Sequence, residues 1–337
     1  MTRTEPDRRG GDRPLDRPLR IGTRGSPLAL AQTELVRSRL VAAHPRLAAP
    51  GAVEIVPIKT TGDRIQDRPL AEFGGKGVFA KEIEEALIDG RIDLAVHSMK
   101  DMPTWLPDGL TIRCILPRED PRDVLFARAP VDGLMALPPG AVVGTSSPRR
   151  KAQVLALRPD LRVVPIRGNV GTRLRKLEAG EVDATLLALA GLRRLGLGDR
   201  ATVLLPTEEM LPAAGQGAIG LETRADADAV LDLLAPLNDP VTASCVMAER
   251  ACLGELDGSC HTPIAALAEP LGGPAPDGTT LRLRALIALP DGSVVHRDER
   301  RGTIAGAPDL GRAAGSALKA KAEPAFFQAM AHPVTPR

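Results

Sequence analysis

The sequence predicts an α/β protein with mixed, mainly parallel sheets, followed by a small C-terminal α+β unit. Three observations carry this. Short apolar strands alternate with helix-period segments from Leu19 to Leu189, the order that builds parallel βαβ units with helices on both sheet faces. The pattern restarts near Pro121, which divides that region in two. After Asn238-Asp239-Pro240 the order becomes helix, two strands, helix.

Taken in order, Leu19-Arg20-Ile21-Gly22-Thr23 is a strand running into a turn. Ser26-Pro27 then opens a helix over 28–41, since Ser is a favoured N-cap and Pro suits the first helical position. Residues 53–58 alternate as a strand, 78–88 form a helix closed by Asp89-Gly90, and 94–96 form a buried strand. In the second half, 141–143 lead as a strand into Gly144-Thr145-Ser146-Ser147-Pro148. A strand over 161–166, a helix over 170–177 and a strand over 184–189 follow. The last unit is read as a helix over 241–253, strands over 281–289 and 293–297 joined by Pro290-Asp291-Gly292, and a helix over 309–329. The first 18 residues, rich in Pro, Gly and charge, read as a disordered arm.

Composition narrows the function classes. The chain has 337 residues, enough for two or three domains with buried cores. A net charge of +2 gives no global field for nucleic acid or an anionic membrane. One Trp and no Tyr argue against stacking platforms for single-stranded nucleic acid. The basic N-terminus lacks the apolar core of a signal peptide, and no apolar run reaches membrane-spanning length. Four cysteines with no C-x-x-C pair read as reduced thiols of a cytoplasmic protein, Cys245 and Cys252 as core residues of one helix face.

Three loops concentrate arginine and small hydroxyl residues: Thr23-Arg24-Gly25-Ser26, Thr145-Ser146-Ser147-Pro148-Arg149-Arg150, and Arg167-Gly168-Asn169-Val170-Gly171-Thr172-Arg173. Helix N-termini expose unpaired N–H groups, and arginine adds a fork for carboxylate or phosphate. One such loop is ordinarily capping plus a solvated arginine; three on one α/β frame favour a cleft for a polyanion, beyond the strand carboxyl ends. Gly74-Gly75-Lys76-Gly77 fails the P-loop pattern and reads as a mobile glycine loop carrying one cation. Gly215-Gln216-Gly217-Ala218-Ile219-Gly220 matches the dinucleotide fingerprint by letter, but an extended segment follows where a helix is needed. His97-Ser98-Met99-Lys100-Asp101 sets an acid beside a cation at a strand end, and His97 reads as a hydrogen-bonded, half-buried histidine. Gly258-Ser259-Cys260-His261 puts a thiol in a small-residue loop with no second ligand pair for a metal.

These motifs occur in the order found in porphobilinogen deaminases, and the chain resembles that family from Leu19 to the C-terminal helix. The resemblance implies two lobes like those of periplasmic binding proteins, with crossovers near Pro117 and Pro212, and a third domain bearing Cys260. The implied domains are 19–116 with 217–236, then 117–216, then 237–337. It implies a dipyrromethane cofactor joined to Cys260 by a thioether, and condensation of four porphobilinogens into hydroxymethylbilane with loss of ammonia. Asp101 is then the catalytic carboxylate. Lys100, Thr145, Ser146, Ser147, Arg149, Arg150 and Arg173 are implied to hold the cofactor. Arg24, Ser26, Lys76, Phe79, Arg167, Arg173, Arg194 and Gln216 are implied to hold substrate. No metal is implied; a monomer is, with a transient hand-over of product to a uroporphyrinogen-III synthase. Two other readings stand beside it: a non-catalytic binding protein for small anions, which leaves Cys260 and Asp101 without a task, and a nicotinamide-dependent oxidoreductase resting on the glycine pattern alone.

Overall fold

The computed structural model describes residues 17–64, 80–257, 262–272 and 280–331. Lys76, Phe79, Cys260 and most of the N-terminal arm lie outside the described residues.

The first unit begins β1 (Leu19–Arg24), α1 (Pro27–Ala43), β2 (Val53–Ile58), α2 (Thr61–Arg64), α3 (Lys81–Ile88), β3 (Leu94–Ser98) and β4 (Leu110–Ile115). The chain crosses to a second unit: β5 (Asp123–Ala127), β6 (Val142–Gly144), α4 (Pro148–Leu157), β7 (Arg162–Val164), α5 (Val170–Glu178), β8 (Ala184–Ala188), α6 (Leu189–Arg194) and β9 (Val203–Leu204). It then returns as β10 (Ile219–Arg224) and α7 (Asp228–Leu234).

The two sheets share one plan, β2-β1-β3-β10-β4 and β7-β6-β8-β5-β9. In each, three parallel strands are followed by an antiparallel fourth. That fourth strand is laid down by chain that has just crossed over: β5 on entering the second unit, β10 on returning to the first. Each sheet has its own apolar filling, such as Leu19, Ile21, Leu94 and Leu221 in the first and Leu125, Val143, Ala184 and Leu186 in the second.

The third unit comprises α8 (Pro240–Glu255), β11 (Ile264–Leu271), β12 (Thr280–Ala288), β13 (Val295–Thr303), α9 (Ala307–Lys321) and α10 (Pro324–Ala331). Its antiparallel sheet runs β11-β12-β13. Alternation splits β11 cleanly: Ile264, Ala266 and Ala268 face α8 and α9, while Ala265 and Leu267 pack with Ala152 of α4 and Leu211. β11 is therefore buried on both faces over 264–268, one of them against the second unit. At the β12–β13 turn, a Cβ on Gly292 would lie 2.4 Å from Ala156 N, so only glycine lets this turn rest on α4.

Three local differences from the sequence reading have physical causes, and a fourth expectation, the helix from residue 78, begins outside the described residues. β11 was not expected, because its alanine-rich, doubly buried stretch shows no alternation. β13 runs on to Thr303 as a charged edge strand, with exposed residues at every second position. The final helix is two helices, because Pro324 cannot continue α9 and starts α10. The helix expected from residue 78 starts at Lys81 within the described residues.

The two crossovers lie side by side and bond directly, Leu116 N to Ile219 O at 3.0 Å and Glu119 N to Gly217 O at 3.2 Å. Gly217 has φ +88°, and a Cβ there would sit 2.2 Å from Glu119 O. The third unit grips both crossovers through Glu249 of α8, which is wholly buried. Its carboxylate accepts from Arg118 Nη1 at 2.5 Å and Nη2 at 3.1 Å, from Gly215 N at 2.6 Å and from Ala268 N at 2.8 Å. Arg118 also donates through Nε to Gln216 O at 2.8 Å. No helix of the described residues is long and apolar enough to cross a membrane.

Removing one partner of a buried ion pair leaves the other charge without compensation. Glu249→Ala is expected to lower stability by about 3–5 kcal/mol, read as a shift in the urea unfolding midpoint.

Candidate active site

β3 runs directly into a single tight turn, Met99–Asp101. The turn is fixed from behind by Met99 N donating to Ala218 O at 3.0 Å. Gly215, at φ +73°, lets the second crossover lie against it: a Cβ there would be 2.9 Å from Met99 Cβ. Asp101 emerges exposed and Lys100 half-buried.

In the second unit, β6 feeds Thr145-Ser146-Ser147 into α4. Ser147 caps the helix by accepting from Arg150 N, Thr145 Oγ1 accepts from Ser147 N at 3.2 Å, and Ser146 Oγ donates to Ile166 O at 2.8 Å. Asn169 caps α5 in the same way, and Arg173 of that helix donates to Gly168 O at 2.9 Å. In the first unit Ser26 caps α1 by accepting from Ala29 N at 3.2 Å, and Arg24 ends β1 half-buried. Arg167 is half-buried in the loop between β7 and α5. Arg194 of α6 donates to Gly217 O at 2.6 Å.

Arg149 and Arg150 are buried, 4% and 5% exposed. Their Nη2 atoms hold the two oxygens of Asp123 at 2.8 Å each, and their Nη1 atoms donate to Leu211 O at 2.7 Å and Leu186 O at 2.8 Å. Gln216 is buried as well, its amide donating to Asp123 Oδ1 at 2.8 Å and Pro121 O at 2.6 Å, so it is turned to the hinge. Burial pushes the Asp123 carboxyl up, but the two guanidiniums and Gln216 overcome this and hold it well below the usual range.

The two units meet electrostatically. Burial lowers the Lys100 ammonium; Asp101 and Asp123 oppose that, while Arg150 and Arg149 add to it. Burial, then the charge of Arg150, pulls Arg173 down to about 10, with Asp101 opposing. Lys100, Arg149, Arg150 and Arg173 thus form one cationic group with the exposed Asp101 among them. Such a group suits a ligand with several carboxylates and one region of developing positive charge.

The sequence matches two family models: "Porphobilinogen deaminase, dipyromethane cofactor binding domain" over residues 19–232 and "Porphobilinogen deaminase, C-terminal domain" over 243–320. The chain belongs to the porphobilinogen deaminase family. It is 55% identical to a porphobilinogen deaminase of Paracoccus denitrificans over 310 residues, 92% of this chain and 96% of the relative. It is 53% identical to a chloroplastic porphobilinogen deaminase of Oryza sativa subsp. japonica over 314 residues, 93% and 86% of the two chains. Likeness to solved periplasmic binding proteins is slight, with a TM-score of 0.40 and 12% identity to a TRAP solute binding protein of Desulfovibrio salexigens over 66% of this chain and 73% of that one. The two-sheet plan therefore stands on the strand orders alone.

As a porphobilinogen deaminase the chain is a transferase acting on porphobilinogen, with a dipyrromethane cofactor. Its residues fit that group. The acetate and propionate arms of pyrrole rings need cations, and the Nε–H groups of Arg149 and Arg150 are buried without partners among the described residues.

Sequence reasoning missed three contributors. Asp123 was hidden in the charged run 118–123, although an acid opening the apolar strand Asp123–Ala127 was a readable signal. Glu84 of α3 and Glu222 of β10 lie with His97 behind the strand that leads to Asp101. His97 Nε2 meets Glu222 Oε2 at 2.9 Å, which agrees with the expected hydrogen-bonded histidine, here fully enclosed.

Each glutamate keeps one buried oxygen without a partner among the described residues. Burial, then the charge of Glu222, pushes Glu84 up to about 7, with His97 opposing. A carboxyl whose pKa rises on folding favours the native state fully below its unfolded value, and this contribution is lost as pH rises through the folded value. Glu84→Gln is therefore expected to raise stability at pH 8 by up to about 3 kcal/mol, at about 1.4 kcal/mol per unit. The gain should shrink to little below pH 4, in thermal unfolding across that range.

Proposed function

We propose that the primer is borne by Cys260 and that Asp101 is the catalytic carboxylate in the condensation of four porphobilinogens into hydroxymethylbilane. The observation that carries this is the coupling of exposed Asp101 in the first sheet unit to Lys100 beside it and to Arg173 of the second, both of which also feel the buried Arg150. The other three thiols support the choice of Cys260. Cys114, Cys245 and Cys252 are buried in cores, where burial pushes each up to about 12, so none is a ready thiolate.

The chain divides into a first lobe of 19–116 with 217–236, a second lobe of 117–216 and a third domain from 237 onward. The separate sheets and the paired crossovers support this division. Lys100, Arg149, Arg150 and Arg173, with the Thr145-Ser146-Ser147 loop, hold the cofactor's carboxylates. Arg24, Ser26, Arg167 and Arg194, with Lys76 and Phe79 beyond the described residues, hold the incoming substrate. Gln216 serves substrate indirectly, through the hinge.

When bound, the cofactor supplies the nucleophilic pyrrole carbon on which chain growth starts. As the substrate amine departs, positive charge develops on the substrate ring, and the Asp101 carboxylate stabilises it electrostatically. Asp101 also accepts pyrrole N–H hydrogen bonds and can take the proton released on condensation. The surrounding cations fix the carboxylate arms, so each reacting carbon arrives oriented. On this reading the enzyme acts as a cytoplasmic monomer that passes its product to a uroporphyrinogen-III synthase.

The tether is tested by intact mass. The parent protein should carry the added mass of two pyrrole units, and Cys260→Ser should not; a Cys260→Ser protein that retains the adduct removes Cys260 from this role. Asp101→Ala should keep the fold and the adduct while turnover falls by about 100-fold or more, measured as ammonia release from porphobilinogen.

A further inference from the structure

Asp101 poses a positioning problem. Its side chain is exposed, and among the described residues its carboxylate makes no hydrogen bond. A group left open for substrate has to be aimed through its backbone. Upstream the backbone is secured by Met99 N on Ala218 O and by the close approach of Gly215. The turn's own closing bond, Met102 N to Met99 O at 3.3 Å, is long.

Downstream, the tie comes from the third unit. Arg250 of α8 donates through Nη1 to Met102 O at 3.2 Å and through Nη2 to Pro103 O at 2.5 Å. These are the first two carbonyls after Asp101. The guanidinium is half-buried, and Glu222 beneath it opposes the effect of burial on its charge. Around the tie, packing is open. A cleft of about 430 Å³ lined by Thr104, Met247, Ala251, Gly254 and Pro308 lies beside the tie. Met102 is itself buried, 6% exposed, so the two hydrogen bonds add a directional hold on the backbone to a stretch that packing already anchors on one side. In the chain α8 ends at Glu255, five residues before Cys260, so the helix that ties the Asp101 turn is also the described element that most nearly precedes the proposed primer site in sequence.

We propose that Arg250 is a positioning residue that sets the Asp101 turn in register with the primer-bearing domain. This rests on the reading of Asp101 as catalytic. Arg250 acts on the carbonyls behind the turn, so its loss should impair chemistry more than substrate binding.

The test uses the full, primer-loaded protein and compares Arg250→Ala and Arg250→Lys with the parent. Measured are kcat and KM for porphobilinogen, the fraction of chains bearing the dipyrrole mass, and the melting temperature. Arg250→Ala should lower kcat by about 10- to 100-fold, the scale of a misaligned reacting group, with KM within about threefold and primer loading unchanged. Arg250→Lys, able to reach one carbonyl, should recover part of that loss. A loaded, folded Arg250→Ala with kcat within about twofold of the parent overturns the proposal, as does a loss that merely follows missing primer. Should the alanine variant fail to fold, the lysine variant decides: kcat equal to the parent overturns the proposal, and kcat lowered at unchanged KM supports it. Asp101→Asn separates the two readings. If it leaves turnover intact, the catalytic role of Asp101 fails; if it abolishes turnover while Arg250→Ala leaves kcat within about twofold of the parent, only the positioning role fails.

Discussion

The ion pair between Arg118 and Glu249 is the constraint on which the rest of the architecture depends. Two crossovers join the first two sheets, and the backbone groups they bury between units need hydrogen-bond partners. Glu249 fixes both crossovers at once, one through the guanidinium of Arg118 and the other through Gly215 N, while Ala268 N ties the same carboxylate to the third sheet. Four donors on one buried carboxylate compensate its desolvation. The two crossovers and the third unit are therefore one electrostatic unit.

A second buried carboxylate, Asp123, organises the catalytic side. Two adjacent arginines on one helix turn repel each other, and burying them without a counter-charge would be costly. Asp123 takes one Nη from each, and Gln216 brings the returning crossover into the same cluster. The cationic group facing Asp101 is thus built on the hinge. Movement of one sheet unit against the other would be felt at once by Arg149 and Arg150.

The glycines of 215–220 show how a familiar pattern can arise from a different physical demand. Gly215 lies against Met99, Gly217 against Glu119 O, and a Cβ on Gly220 would sit 2.1 Å from Met99 Sδ. All three let the returning chain pass close to the active turn and the other crossover. A strand, β10, follows them, where a pyrophosphate-binding loop requires a helix.

The sequence by itself determined the alternation of strands and helices, the capped helix starts at Ser26, Ser147 and Asn169, and the family motifs. These are local properties, set by hydrophobic period and by side chains that bond within three residues. It also marked Lys100 and Asp101 as a strand-end pair. Only the tertiary structure decided that Arg149 and Arg150 share Asp123, that Gln216 faces the hinge, and that Glu84, Glu222 and His97 meet behind β3. Arg149 lies 26 residues from Asp123 and His97 lies 125 from Glu222, and no periodicity links such distant positions. β11 stayed hidden for a related reason: a strand buried on both faces loses the alternation that reveals strands, and burial is settled only when the second unit packs against it.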